Sequence, residues 1–463
     1  YYYRDSEALI FGSELKSIIH ALIKKPEIDP GSVWEYLSFA CIPQDKTIYK
    51  NIFKLLPGHY LKIDKNGINI KEYWKIKDSD LKNITESEVQ DELLLLLKSS
   101  VKKRLISDVP LGVFLSGGID SSAITALYRE VSSDRLMTFS VGFKEKSYNE
   151  LDDARKTAEY FNTEHHELVI EPDALDITER ITGFFDEPFA DSSAVNVYYI
   201  SKFARENITV ALSGEGGDEI FGGYMTYTAD HLAELYRYFY KVLPTSHKIL
   251  KTLVGYLPSS DKKVSLDYKL KRFMTGITDL PEISHFKWKE IFNLEMKKKL
   301  FNEEYFINNL GNFEARDPDI IITKYFNGYS GEKDLLNKIL YLDLKTYLPD
   351  DLLVKVDRTT MANSMEVRVP FLDHEIVEFM SRIPSKLKVR LFKRKILLKN
   401  TLKGIIPEFI FRKKKSGFSI PLNSWFKNEL KTPLSDWIFS ARNKIDFLNF
   451  GSIEEMIKDH NSG

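Results

Sequence analysis

Cysteine is nearly absent from the chain, and charge of neither sign is in excess. The 463 residues include one cysteine, Cys41, which excludes a disulfide within the chain and a zinc site built from several thiolates. Lysine and arginine (66) almost balance aspartate and glutamate (67), giving a net charge of -1. Nucleic acids and anionic membrane surfaces are bound through clustered positive charge. We therefore expect neither partner, and any basic site must be local.

Long apolar runs are missing as well. The most concentrated one covers residues 93–97, whereas roughly 20 apolar residues are needed to cross a bilayer. Nothing at the start of the chain resembles a signal peptide. Together with the single cysteine, these features predict a cytoplasmic protein. The chain opens on a strand-like run at residues 1–4 and stops at residues 461–463 without a terminal element, so we expect both ends to be cut.

The composition is sufficient for large cores, with 43% hydrophobic and 13% aromatic residues, and the length predicts two or three structural units. Two β-hairpins are predicted at residues 1–11 and 58–74. The hydrophobic period then changes, because Val89, Leu93 and Leu97 suit an amphipathic helix that runs from Glu86 towards Arg104. A domain boundary follows between residues 75 and 85.

Beyond residue 104, strand-like runs alternate with helical patterns. Such alternation is typical of βαβ units, so the predicted fold class is α/β: a parallel sheet with helices on both faces and the ligand at the carboxyl edge of the strands. Residues 225–463 are predicted to be mostly helical. The strand-like runs are residues 111–115, 136–143, 167–170 and 208–212, and the clearest helical patterns between them are residues 151–161 and 194–206.

The strongest motif is Ser116-Gly117-Gly118-Ile119-Asp120-Ser121-Ser122, which follows an apolar strand and opens a helix. Successive glycines let several backbone N–H groups point into one concavity, and the start of the helix adds its positive dipole end. The motif therefore predicts a phosphate cradle. It lacks the Gly-Lys-Ser/Thr ending of the P-loop. The alternative is a polar loop in which a serine caps the helix.

A second glycine loop, Ser213-Gly214-Glu215-Gly216-Gly217-Asp218-Glu219, also follows an apolar run and leads to Tyr224. It should lie on the same edge of the sheet as the first loop, so both loops would face one pocket. Asp218 is a candidate Mg²⁺ ligand, because hard cations prefer oxygen ligands and bridge phosphates. The alternative is a structural glycine turn with solvated acids.

The first loop resembles the pyrophosphate loop of the ATP-pyrophosphatase family, and the pair of loops resembles the asparagine synthetases. The resemblance extends to residues 136–143, 357–362, 365–373 and 411–421, and so covers nearly the whole chain. The resemblance implies binding sites for the adenine, the pyrophosphate and Mg²⁺. By this resemblance, backbone at Phe114, Leu115 and Val141 would surround the adenine, and Ser116, Gly117, Gly118, Ser121 and Ser122 would hold the pyrophosphate. Ser213 and Gly214 would also bind ATP or pyrophosphate, and Asp120, with Asp218 as the second candidate, would bind Mg²⁺.

Two catalytic roles are implied by the same resemblance. Glu215 would take a proton from the attacking ammonia. A lysine two residues before a Gly-Phe pair stabilises the charge that develops at the α-phosphate, which points to Lys415. Counting forward from Arg412 by the family's Arg-x-Lys pattern gives Lys414 instead. We prefer Lys415, because Gly417 fixes the local geometry.

Three other polar runs are predicted to have no catalytic role. His165 and His166 should enter a strand, since neither a cysteine nor suitable helical spacing accompanies them for zinc. Residues 297–299 (Lys-Lys-Lys) and 393–395 (Lys-Arg-Lys) are each predicted to be a solvated basic face.

The start of the chain resembles only the end of an N-terminal-nucleophile glutaminase domain. The predicted organisation is a β-rich remnant of that domain at residues 1–80 and a synthetase domain at residues 85–463, cut at its end. Cys41 lies in an apolar context and is predicted to pack rather than to act as a nucleophile. The chain alone should therefore not hydrolyse glutamine. Uncovered strand edges and apolar faces predict that this fragment aggregates or is destabilised.

The predicted reaction is amidation of aspartate. Aspartate would attack Mg·ATP to give β-aspartyl-AMP and pyrophosphate, after which ammonia, supplied from glutamine by the glutaminase domain, would release asparagine and AMP. One alternative keeps this chemistry with another acid, such as a sugar acid of surface polysaccharides or a β-lactam precursor. Another is a nucleotide-binding scaffold or a tRNA-modifying protein, against which the neutral charge and intact acidic residues argue. A homodimer is possible.

Overall fold

A computed structural model describes residues 1–6, 8–65, 67–76, 84–143, 151–243, 245–257, 266–329, 334–413, 420 and 422–462. Ten strands in these ranges form three sheets. The strands are β1 (Tyr2–Arg4), β2 (Leu9–Phe11), β3 (Ile52–Phe53), β4 (His59–Asp64), β5 (Gly67–Glu72), β6 (Leu111–Phe114), β7 (Met137–Phe143), β8 (Glu164–Ile170), β9 (Val210–Leu212) and β10 (Glu366–Arg368).

Helices account for most of the remaining described residues. In the described part of the chain after β9, β10 is the one strand, and the other elements are helices. A π-helical segment at Leu348–Leu352 separates α16 from α17. The helices are α1 (Leu15–Ala21), α2 (Pro30–Phe39), α3 (Glu86–Arg104), α4 (Ile119–Val131), α5 (Leu151–Tyr160), α6 (Ala174–Phe185), α7 (Ala194–Ala204), α8 (Gly217–Phe221), α9 (Met225–Val242), α10 (Thr245–Gly255), α11 (Leu266–Met274), α12 (Pro281–Lys287), α13 (Leu294–Leu300), α14 (Glu303–Leu310), α15 (Asp319–Asn327), α16 (Leu335–Lys345), α17 (Leu353–Met361), α18 (His374–Ser381), α19 (Ile396–Thr401), α20 (Glu408–Arg412), α21 (Leu422–Lys427), α22 (Lys431–Ser440) and α23 (Phe450–Ser462).

The main sheet has five parallel strands in the order β10-β9-β6-β7-β8. Side chains alternate between its faces, so that Val113 and Leu212 pack under α3, α4 and α18, while Phe139 and Ala211 pack under α6 and α7. Helices therefore cover both faces, and the predicted α/β class is confirmed. Val113 pairs with Leu212 in register, which brings the loops after β6 and β9 out side by side at the carboxyl edge.

Helix α3 shows how local sequence fixes an element of this domain. Thr85 and Glu88 form a reciprocal capping box at its start, which satisfies two backbone N–H groups that the helix itself leaves unpaired. Val89, Leu93 and Leu97 are fully or almost fully buried against the sheet. The predicted helix from Glu86 towards Arg104 is thus confirmed, because cap and period agree.

The N-terminal part is small and β-rich. Strands β1 and β2 pair antiparallel, as do β4 and β5, which confirms the two predicted hairpins. A separate core of Leu15, Ile18, Ile42 and Ile52 packs against Tyr3 and Ile10 of the first hairpin. The predicted domain boundary falls largely on residues 77–83, outside the described ranges, so the division into two domains stays a prediction. In the described parts of the chain, no helix combines the length and apolar character needed to span a bilayer.

The lysine run at residues 297–299 is not a uniformly solvated face, and the prediction is wrong at Lys297. That side chain is fully buried, with its Nζ 4.4 Å from the centre of the Trp34 ring. It finds no hydrogen-bond acceptor among the described residues. Burial lowers the pKa of Lys297, although Glu290 opposes the shift. The neighbouring Lys298 does pair at the surface, with Glu314.

This buried lysine predicts a pH-dependent stability. Because folding lowers the pKa of Lys297 from the ordinary lysine value of 10.5 to about 8, the unfolded chain holds more protons than the folded chain between these two pH values. The free energy of unfolding should therefore rise with pH in this window, by roughly 1 kcal/mol or more between pH 7.5 and 9.5. Denaturant unfolding at both pH values measures the rise, which Lys297→Met should reduce and Lys298→Met should not. Equal pH slopes in all three proteins would contradict the prediction.

Candidate active site

The first glycine loop connects β6 to α4 at the carboxyl edge of the sheet. Gly117 has a φ of 66°, and a Cβ on it would lie 2.6 Å from backbone atoms of residues 153 and 154. The turn brings Ser121 back over the strand end, where its Oγ accepts a hydrogen bond from the backbone N–H of Ser116 at 3.1 Å. Gly118 is the N-cap of α4, and Asp120 lies in the first turn. The loop therefore presents the start of a 13-residue helix to the space above the sheet.

The second glycine loop, after β9, packs directly on the first. Gly216 has a φ of 83° and caps the short helix α8. A Cβ on Gly214 would lie 2.8 Å from the Cβ of Asp120, and one on Gly217 would lie 2.6 Å from Oδ1 of Asp120. At Gly214 a side chain would also meet the backbone of Asp120 and Ser121, whereas at Gly217 it would meet the side chains of Asp120 and Phe371.

The two loops line one cavity of about 430 Å³. Of the residues predicted to form the site, Phe114, Leu115, Ser116, Asp120, Ser121, Val141, Ser213, Gly214, Glu215 and Asp218 line it. Gly117, Gly118 and Ser122 are not among the lining residues, and Ser122 is fully buried within α4. Lys414 and Lys415 lie outside the described residues. The adjacent Lys413 is described, and its Nζ donates to the carbonyl oxygen of Ser116 at 3.2 Å.

Sequence reasoning missed an ion pair on the far wall of this cavity. Lys355 of α17 is 5% exposed, and its Nζ donates to Oδ2 of Asp191 at 2.9 Å. Tyr347 and Tyr224 line the cavity beside this pair. The positions of Lys355 and Asp191 in the sequence, 164 residues apart, give no local signal that the two side chains meet.

Glu215, a residue of the second glycine loop, lines the same cavity as this ion pair and interacts electrostatically with it. Burial is the largest cause that raises its pKa above the ordinary glutamate value; Lys355 opposes the shift, and Asp218, Asp191 and Asp120 add to it. A carboxylate with a raised pKa is a stronger base than an ordinary glutamate, which suits it to accept a proton from a reacting group.

The basic run at residues 393–395 is wrongly predicted as a solvated face. Lys395 is 3% exposed, and its Nζ lies 2.5 Å from both carboxylate oxygens of Asp120 and 2.7 Å from Oδ1 of Asp218. Burial disfavours the ammonium ion, but the two carboxylates outweigh this effect and raise the pKa of Lys395. The two predicted Mg²⁺ ligands therefore share one cation, although 275 residues separate Asp120 from Lys395.

The carboxylates of Asp120 and Asp218 converge as in a magnesium site whose other ligands come from the phosphates of a nucleotide. Oxygens of both carboxylates approach a single point, which Lys395 occupies. The described residues contain no group of three or more His, Cys, Asp and Glu side chains that could hold a metal alone. Mg²⁺ is often held by one or two carboxylates together with substrate phosphates and water, so two carboxylates suffice here.

A second cavity, of about 460 Å³, adjoins the first and shares Asp191, Ser192, Tyr224 and Tyr347 with it. Residues 38–41 of the N-terminal part form its other side. Cys41 is 4% exposed there, and burial raises the pKa of its thiol well above the ordinary value. Such a thiol is protonated at neutral pH and is a poor nucleophile, which supports a packing role for Cys41.

The close contact between the loops predicts a severe effect of Gly214→Ala. The added Cβ would collide with the backbone of Asp120 at 2.9 Å, so the loops must separate. A shift of about 1 Å in a reacting group can cost roughly 10²-fold in rate, and we expect a comparable loss of ATP-dependent turnover in a folded protein. Steady-state kinetics and circular dichroism test this, with Gly183→Ala as control because a Cβ there meets nothing within 4 Å. Turnover of Gly214→Ala equal to that of the control would contradict it.

The chain is similar in sequence to known proteins over most of its length. The family described as asparagine synthase matches residues 92–463, and the glutamine amidotransferase domain family matches residues 1–74. Asparagine synthetase [glutamine-hydrolyzing] 1 of Bacillus subtilis is 34% identical over 99% of this chain and 70% of its own length. A putative asparagine synthetase of Mycobacterium tuberculosis is 29% identical over 94% and 65%, respectively.

Two more distant proteins are also similar. Amidase chry2 of Gibberella zeae is 24% identical over 85% of this chain and 62% of its own length. The structure of an NH3-dependent NAD synthetase from Campylobacter jejuni covers 44% of this chain and 96% of its own, at 14% identity and a TM-score of 0.22. The chain thus spans between 62% and 70% of the length of the Bacillus, Mycobacterium and Gibberella proteins. The family matches and the Bacillus relative show that the chain belongs to the asparagine synthase family of ligases, for which ATP is a substrate.

Proposed function

We propose that this protein converts aspartate into asparagine through β-aspartyl-AMP, releasing AMP and pyrophosphate. The observation that carries the proposal is the cavity in which both glycine loops, Asp120, Asp218 and Glu215 meet. The names of the Bacillus and Mycobacterium relatives support aspartate as the acceptor and glutamine as the nitrogen source. We place the reaction in the cytoplasm.

The first step forms the adenylate, and the loops supply its electrostatics. An anionic carboxylate must attack an anionic phosphorus and expel pyrophosphate, so donors are needed where the charge accumulates. Ser116 and Ser121, with the start of α4, face that charge. When bound between Asp120 and Asp218, Mg²⁺ would neutralise the phosphate oxygens as a Lewis acid. Phe114, Leu115 and Val141 form an apolar wall of the kind that an adenine ring contacts.

The second step joins ammonia to the activated carboxyl carbon. The nitrogen must lose a proton as it attacks, and Glu215 is the carboxylate whose raised pKa suits it to take that proton. Lys355 and Asp191 lie beside it and hold the local charge balance. Stabilisation of the negative charge that develops at the α-phosphate and on the intermediate is assigned to Lys415, with Lys414 as the other candidate.

Ammonia is proposed to come from glutamine hydrolysis in a glutaminase domain. The match to that domain family covers residues 1–74. The second cavity supports the idea, because residues 38–41 border it on one side and it shares Asp191 and Tyr347 with the reaction cavity on the other.

Pyrophosphate release tests the proposal. Purified protein with Mg·ATP and ammonium should release pyrophosphate when aspartate is present and show little release without an acceptor. Glutamate, a sugar acid and a β-amino acid serve as competing acceptors in the same assay. Release that depends on another acid would move the assignment to that acid. No acceptor-dependent release with any acid would overturn the adenylate chemistry.

A further inference from the structure

Lys395 occupies an unusual backbone position at the edge of the reaction cavity. It is the residue before α19 and has a φ of 53°, in the left-handed region that side chains other than glycine, asparagine and aspartate seldom adopt. The solvated role predicted from its sequence neighbours would not require such a conformation. Non-glycine residues in this region cluster at functional sites, where surrounding contacts hold them.

Gly223 leaves room for the Lys395 side chain, because it has no Cβ. A Cβ on Gly223 would lie 2.2 Å from Cε of Lys395 and 1.8 Å from Oδ1 of Asp218. Arg394 holds the same segment by donating to the carbonyl oxygen of Gly223 at 2.8 Å. The ammonium group of Lys395 is therefore directed from α19 into the gap between the two glycine loops.

The ammonium group lies at the point where the two carboxylates converge. Its Nζ contacts both oxygens of Asp120 at 2.5 Å and one oxygen of Asp218 at 2.7 Å. A magnesium ion bridging the same carboxylates would lie about 2.0–2.1 Å from their oxygens. Both cations cannot occupy this point, because they would overlap and repel each other in a poorly solvated site.

We propose that Lys395 is an internal counter-cation that fills the metal position of the nucleotide-free protein, so that the site accepts Mg²⁺ only together with ATP. The inference rests on the proposed metal role of Asp120 and Asp218. Free Mg²⁺ has to displace the ammonium group from Asp120 and Asp218, its two ion-pair partners among the described residues, and the displaced group then needs another anion. When the metal arrives with a nucleotide, the phosphates provide that anion. The flexible lysine stem lets the group move from carboxylate to phosphate without a change in the fold.

Mn²⁺ binding without nucleotide tests the proposal, with electron paramagnetic resonance measuring the free ion. The unmutated protein should bind Mn²⁺ weakly, and Lys395→Met should bind it at least about tenfold more tightly, equivalent to about 1.4 kcal/mol. Lys399→Met is the matched control, because Lys399 lies one turn further along α19 and its side chain is partly buried. With a non-hydrolysable ATP analogue present, the gain in Lys395→Met should shrink or reverse, because the phosphates lose a cation.

Three outcomes would overturn the proposal. The first is micromolar Mn²⁺ binding by the unmutated protein, a result that needs no variant to fold. The second is a folded Lys395→Met protein that binds Mn²⁺ no more tightly than Lys399→Met. The third is a gain that persists when Asp120→Asn is added to Lys395→Met, since the metal would then bind elsewhere. Metal binding does not depend on the acceptor acid, so failure of the aspartate assignment would leave these results unchanged.

Discussion

Asp120→Asn is expected to lower acceptor-dependent pyrophosphate release by about 10²- to 10³-fold, the loss typical of removing one preorganised group that stabilises transition-state charge. Asparagine has the same shape as aspartate, so its contacts with Gly214 and Gly217 should persist. What is lost is a negative charge that holds the cation opposite the departing pyrophosphate. The loss should appear in kcat/KM for ATP while the protein remains folded.

The control for this experiment is Asp152→Asn. The Asp152 side chain is 88% exposed on α5, near the first loop but outside the cavity. Full activity of Asp120→Asn would contradict a catalytic role for the first loop. Equal losses in Asp120→Asn and Asp152→Asn would indicate a general effect of the charge near α5. Asp218→Asn should resemble Asp120→Asn. The fold loss of pyrophosphate release in the double variant should be smaller than the product of the two single losses, because the two carboxylates share one cation.

The glycine loops were predictable because their signal is local. In each loop a buried strand, a run of small residues and a helix start follow one another within about a dozen residues, and backbone geometry dictates the order. The parallel sheet was predictable for a similar reason: its strands are continuous apolar runs separated by helical periods. Placing both loops at one edge then needed only the rule that parallel strands end together.

The cations of the site were not predictable, because their partners are distant in sequence. Lys395 stands in a run of three basic residues, a pattern that usually marks a solvated face, and only the fold brings Asp120 and Asp218 to it. Lys297 was misjudged for the same reason, since Trp34 covers it from the N-terminal part. The composition of such a run indicates the average exposure of its residues, whereas tertiary packing decides whether one of them is buried.

Glu215→Gln should separate the two halves of the reaction. Adenylate formation does not need a base on Glu215, so single-turnover release of pyrophosphate with aspartate should change little. Amide formation from ammonia should fall by about 10²- to 10⁴-fold, the usual contribution of general acid–base catalysis. The asparagine formed for each pyrophosphate released should therefore drop, because the stranded adenylate is lost to water. Glu206→Gln, at an exposed position just after α7, is the control.

The pH dependence of the same step provides an independent measure of Glu215. Burial raises the pKa of Glu215, so the carboxylate that accepts the proton is lost as pH falls through a value above the ordinary glutamate range. Amide formation by the unmutated protein, measured at constant free ammonia, should decline on that acidic side, and Glu215→Gln should lack this decline. If Glu215→Gln reduces adenylation and amidation equally, Glu215 holds the cavity in shape instead of moving a proton. An acidic limb that survives in Glu215→Gln would assign the titrating base to another carboxyl of the cavity, of which Asp191 is the nearest to Lys355.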